Sequence, residues 1–101
     1  MLKYWVWLSE LKGLRNQTRL ALLRRFGDPE SIFYADADEL LLTDGVERSQ
    51  LKLLENHDLA PADRILADCQ RLDIQLLTLS DAAYPGRLKN IYDPPALLYC
   101  K

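Results

Sequence analysis

The sequence predicts a mainly α-helical chain: a small helical bundle over residues 1–60, followed over 61–101 by a linking helix and the opening strands of an α/β domain. Three observations carry this. Apolar residues recur at helical spacing in short runs, each closed by a glycine, an Asx residue or a proline. After Leu72 the pattern changes to the short apolar run "IQLLTLSD". The final stretch, "YPGRLKNIYDPPALLYCK", places a second such run, "ALLYC", behind two prolines.

Tyr4, Trp7, Leu8 and Leu11 fall on one face of a first helix over about Leu2–Lys12, ended by Gly13. Trp7 is expected in the core, and Trp5 on another face as a half-buried residue or a partner contact. Asn16 suits the N-cap of a second helix that buries Leu20, Leu23 and Phe26 and stops at Gly27. Asp28-Pro29 reads as N-cap and first-turn proline of a short helix with Ile32 and Phe33 inward. Asp36 and Glu39 have capping-box spacing, starting a helix through Leu40, Leu41 and Leu42 that Gly45 breaks. A fifth helix spans about Glu47–Asn56 with Leu51 and Leu54 inward. Pro61 opens a longer one, faced by Ala62, Ile65, Leu66, Cys69 and Leu72.

Gln75–Leu79 is expected as a strand, and its nearly continuous apolar run suits a strand covered on both faces. Tyr84-Pro85 begins a turn or short helix carrying Leu88 and Ile91. Asp93-Pro94-Pro95 forces extended backbone into a second strand, Ala96–Cys100.

Composition narrows the function. With 49% hydrophobic and 28% charged residues in 101, the chain reads as one globular domain, or a small domain plus part of another. No apolar run approaches the ~20 residues of a bilayer span, and the N-terminus lacks a signal-peptide cleavage pattern. Cys69 and Cys100 lack a CxxC spacing, so free thiols and a cytoplasmic setting are expected. One histidine, His57, and two isolated cysteines argue against zinc. No nucleophile–base spacing, GxGxxG or GxxxxGK[ST] is present, so no catalytic residue and no cofactor are assigned.

Charge is unevenly spread. Residues 1–29 carry six Lys/Arg against two acids, residues 30–47 carry six acids and no Lys/Arg, and residues 48–101 balance. A basic N-terminal face can attract phosphates, although a solvated helix surface has the same composition. "LKGLRNQTRLALLRRFG" runs helix, glycine turn, helix, as in helix-hairpin-helix modules, where turn N–H groups approach a DNA phosphate. Lys12, Gly13, Arg15 and Arg19 are therefore the candidate DNA contacts, with Arg15 standing where a second glycine would be. A second turn of this kind falls at Gly45, flanked by Asp44 and Glu47, which would repel phosphate. Both turns also suit an ordinary five-helix fold.

The stretch "LLTLSDAAYPGRLKNIYDPPALLYCK" resembles the segment leading into the Rossmann-like domain of the DNA processing protein A (DprA/Smf) family. Asp81, Tyr84, Pro85, Leu88, Ile91, Asp93, Pro94, Pro95, Leu98, Tyr99 and Lys101 match the family pattern in order and spacing. "FGDPESIF", Phe26–Phe33, is similar to a turn in the family's helix-hairpin-helix or sterile-alpha-motif-like (SAM-like) domain. The resemblance implies a cytoplasmic, non-enzymatic protein. Its family binds incoming single-stranded DNA and helps load a RecA-type recombinase in homologous recombination during natural transformation, or competence. It also implies that the main DNA-binding region follows residue 101, so that this chain is an N-terminal part. The matching residues are then fold determinants, with Tyr84 packing or hydrogen-bonding at the joint. Unpaired strand edges would favour a homodimer. Two other readings stay open: a stand-alone helix-hairpin-helix DNA binder, and the opening segment of a nucleotide-binding enzyme.

Overall fold

The structure is a computed structural model and describes residues 2–100. Seven helices and two strands follow in the order α1 (Leu2–Ser9), α2 (Asn16–Phe26), α3 (Pro29–Tyr34), α4 (Ala37–Leu41), α5 (Arg48–Leu54), α6 (Ala60–Arg71), β1 (Gln75–Thr78), α7 (Gly86–Lys89) and β2 (Leu97–Cys100). The chain is thus mainly helical with a two-stranded sheet. None of these helices is long and apolar enough to cross a membrane.

One core cluster gathers residues from both segments of the chain. Tyr4, Val6, Trp7 and Leu8 of α1 meet Leu22 and Leu23 of α2, Ile32 and Phe33 of α3, and Leu54 of α5, together with Ala62, Ala96 and Leu97. Phe33 stands edge-on to both Tyr4 and Trp7 at centroid distances of 5.2 and 5.0 Å. Such aromatic contacts add about 1 kcal/mol each beyond the area they bury. The Trp7 indole N–H donates to the Asn56 carbonyl at 2.7 Å, so its polar edge is satisfied inside the core. Trp5 is half-buried against the cluster.

Several local expectations change. α1 ends at Ser9, not Lys12, because residues 10–15 form the glycine turn. Asn16 is the first residue of α2 and gives its N-terminus no cap; the N-cap position belongs to Arg15. Asp36 occupies the N-cap of α4 without a side-chain hydrogen bond, so no capping box closes with Glu39. Asp28 does cap α3, its carboxylate accepting from the Ser31 N–H at 2.8 Å. Leu72 is 45% exposed, because α6 stops at Arg71 and the chain reverses through Asp73 at φ 58°.

β1 and β2 pair antiparallel, with Leu76 opposite Tyr99 and Leu77 opposite Leu98. A parallel crossover needs a dozen or more residues, usually an α-helix. The connection, residues 79–96, is long enough for one, but its helix α7 is a single turn of four residues, and the chain doubles back to pair antiparallel. Along β1, Gln75 is exposed, Leu76 and Leu77 are half-buried and Thr78 is buried. The strand is therefore not enclosed on both faces among the described residues.

The segment between the strands is folded by its own polar groups. The Asp81 carboxylate accepts from the Thr78 N–H at 2.8 Å, and the Tyr84 N–H donates to the Asp81 carbonyl. The buried Tyr84 hydroxyl then donates to the Pro95 carbonyl at 2.7 Å, tying the turn to the start of β2. Burial pushes its phenol up from the usual tyrosine value. Tyr84→Phe keeps the ring and leaves the carbonyl unpaired, so it is expected to cost about 1 kcal/mol in urea unfolding. A stability equal to wild type would show that the hydroxyl is not needed at this joint.

Candidate nucleic-acid interface

Lys12, Gly13 and Arg15 lie in the turn between α1 and α2, and Arg19 one turn into α2. Gly13 has φ 87°, a region that favours glycine. Gly45, between α4 and α5, repeats that geometry at φ 86°. The two segments correspond position by position. Leu14 and Val46 follow the glycines and are both buried. The Leu14 N–H to Leu11 carbonyl bond is matched by the Val46 N–H to Thr43 carbonyl bond. Arg15 and Glu47 then occupy equivalent N-caps in extended backbone.

The two turns are strapped to each other reciprocally. The Thr18 hydroxyl donates to the Gly45 carbonyl at 3.2 Å, and the equivalent residue of the other segment, Gln50, donates to the Gly13 carbonyl at 3.2 Å. The Gln50 carbonyl oxygen also accepts from the Arg15 N–H at 3.0 Å. The Arg15 guanidinium bonds the Gly45 carbonyl and pairs with Glu47, each at 3.0 Å. The polar groups of the paired turns thus largely satisfy one another, and the charge of Arg15 is balanced by its neighbour.

Arg19 points inward and is 8% exposed. Its Nε donates to the Leu8 carbonyl at 2.8 Å, and its remaining donors reach Asn16 Oδ1 and the Leu11 and Leu14 carbonyls. Burial lowers its pKa, against the opposing charges of Glu10 and Asp93. Its position does not bring it together with Lys12 and Arg15 toward solvent. Lys12 is exposed. Arg24 and Arg25 lie further along α2; Arg25 bonds the Glu39 carbonyl and the Thr43 hydroxyl, whereas Arg24 makes no hydrogen bond or ion pair among the described residues.

The motif residues near the C-terminus converge on the start of α2. Asp93 accepts from the side-chain amides of Asn16 and Gln17, both at 2.8 Å. The same two amides bond the Pro94 and Tyr92 carbonyls. Pro94 is buried, Pro95 and Leu98 are half-buried, and Leu88 and Ile91 are exposed. Pro85 precedes the single turn of α7. Tyr99 reaches Glu10 through a long 3.5 Å contact, and burial together with that carboxylate pushes its phenol up to about 12. Lys101 lies outside the described residues.

No family model, curated protein or solved structure matches this chain.

Among the described residues no group of three His, Cys, Asp or Glu is placed to hold a metal ion. His57 is exposed and stacks on Phe33 at 4.3 Å, an aromatic role. Cys69 is a buried free thiol and Cys100 a half-buried one. The grip of Asn16 and Gln17 on Asp93 had no counterpart in the sequence reading. The only trace was an acid held before two prolines, and its partners lie at the other end of the chain.

Proposed function

We propose that residues 1–101 are the N-terminal accessory module of a DNA-processing protein of the DprA/Smf kind, a helix-hairpin-helix/SAM-like bundle joined to the opening of a Rossmann-like domain. The complete protein would bind single-stranded DNA in the cytoplasm and help load a RecA-type recombinase during natural transformation, without itself being an enzyme. The supporting observation is the joint. Asp81, Tyr84, Asp93, Pro94 and Pro95, which carry the resemblance, sit in one hydrogen-bonded unit that fastens the strands to α2. Adjoining domains move relative to one another unless their interface holds them, and these bonds supply such a hold. Antiparallel pairing of the first two strands is compatible with this, since doubly wound sheets commonly carry an antiparallel edge strand. The outer edges of a two-stranded sheet would pair with further strands or with a second copy.

The reciprocal straps between the glycine turns favour an accessory role over a self-sufficient hairpin binder. The test is anisotropy of a labelled single-stranded oligonucleotide, titrated with residues 1–101 and with a chain that continues into a following sheet, at two salt concentrations. Residues 1–101 are expected to bind weakly, with Kd on the order of 10⁻⁴ M, and the longer chain far more tightly. Equal, tight binding by both, abolished by Arg15→Glu, would instead establish a stand-alone hairpin module.

A further inference from the structure

A cleft of about 360 Å³ opens between α2, the end of β1 and the segment after α7. It lies at the joint just described. Its apolar lining includes Trp5, Leu23, Leu79 and Ile91, and Tyr92 stands beside them. Arg24 enters from α2 and Lys89 from α7, and no Asp or Glu lines it. Neither cation has a hydrogen bond or ion pair among the described residues. The acids next in sequence to lining residues are each engaged elsewhere: Asp93 by Asn16 and Gln17, Asp28 by the Ser31 N–H and Asp81 by the Thr78 N–H.

One wall of the cleft is held in place. The Tyr92 carbonyl is fixed by Gln17 and the Pro94 carbonyl by Asn16. Tyr92 nevertheless remains 86% exposed, an aromatic residue kept in water on the same cleft that Trp5, half-buried, lines. Two aromatic rings, aliphatic walls and two cations without an ion pair among the described residues match a flat apolar group attached to a polyanion. That is the composition of a single strand, whose bases stack on aromatic side chains while Lys and Arg hold the phosphates. A duplex would keep its bases out of such a cleft.

We propose that this cleft receives one unpaired base of a single-stranded nucleic acid, stacked between Trp5 and Tyr92, with Arg24 and Lys89 on the flanking phosphates. The inference rests on the reading of the chain as part of a DNA-processing protein, and it assigns that protein a nucleotide subsite outside the glycine turns.

The experiment compares a fluorescein-labelled oligothymidylate with an abasic strand of the same length. The abasic strand keeps the phosphates and lacks the rings. Both are titrated at low salt with the wild-type chain, with Tyr92→Ala and with the Arg24→Glu/Lys89→Glu pair. All three side chains are exposed and make no described hydrogen bond, so these variants are expected to fold. The wild type is expected to prefer the oligothymidylate by about tenfold, the contribution of one stacked base. Tyr92→Ala should remove most of that preference and leave abasic binding unchanged. The charge-reversal pair should weaken both ligands and flatten the salt dependence. Equal affinity for the two strands, or oligothymidylate binding indifferent to Tyr92→Ala, overturns the subsite. If the longer chain binds DNA under those circumstances, the DNA-processing reading survives without the cleft. If neither chain binds either strand, both fall.

Discussion

Gly45→Ala is expected to destabilise the protein by about 3 kcal/mol, lowering its melting temperature by roughly 10–20 °C. Two costs coincide at this position. The backbone sits at φ 86°, where a side chain costs about 1–2 kcal/mol. In addition, an added Cβ would lie 2.9 Å from the Thr18 hydroxyl oxygen. That hydroxyl donates to the carbonyl of Gly45 itself, so moving it aside breaks one of the straps between the turns. A lost intramolecular hydrogen bond of this kind costs a further ~1 kcal/mol. Gly27→Ala is the internal control. Its φ is 89°, yet nothing lies within 4 Å of the added atom. It should carry the backbone cost alone, about 1–2 kcal/mol. Gly13→Ala falls between, because the nearest atom at 3.3 Å is the flexible end of Leu53. Urea unfolding of the three variants would show this order. Equal losses at Gly45 and Gly27 would mean that the contact with Thr18 contributes nothing.

The same contrast explains what was legible before the structure. The glycines announced the turns, and the helical periodicity placed Leu20, Leu23, Ile32, Phe33, Leu51 and Leu54 inward, where they are buried. These are local patterns, set by one residue's backbone preference or by the spacing along one helix. Capping was legible at Asp28 but not at Asn16 or Asp36. Asn16 has the right side chain for an N-cap, but its Oδ1 accepts from the Arg19 guanidinium while its amide donates to Asp93 and Pro94, distant in sequence. Leu22 and Val6 are fully buried although neither belonged to the face chosen for its helix. Helices packed on more than one side bury more than one stripe, and that depends on the neighbours. The candidate site divided in the same way. Its charge was visible as composition, while the direction each cation points was decided by acceptors elsewhere. Gln50, a polar residue on an inward face, was the one trace of the straps between the turns.

Arg19 shows how far direction can override composition, and its substitution is the second large effect expected. Arg19→Met should cost about 2–3 kcal/mol, because it leaves the buried acceptors of the guanidinium unpaired. The last carbonyls of a helix have no partner within the helix. At the end of α1 the Arg19 fork supplies one, bonding the Leu8 carbonyl at 2.8 Å and reaching Leu11 and Leu14 beyond it. A cation at a helix C-terminus also meets the negative end of the helix dipole. Met fills similar space and offers no donor. Lys keeps the charge but presents a single ammonium where a planar fork spans several acceptors, so Arg19→Lys should recover less than half of the loss. The effect should spread beyond the turn. Asn16 accepts from Arg19 through Oδ1 while its amide holds Asp93 and Pro94. Hydrogen exchange in Arg19→Lys should therefore quicken at the start of β2 as well as at the end of α1. A loss below about 1 kcal/mol in Arg19→Met would show that water can replace the guanidinium there.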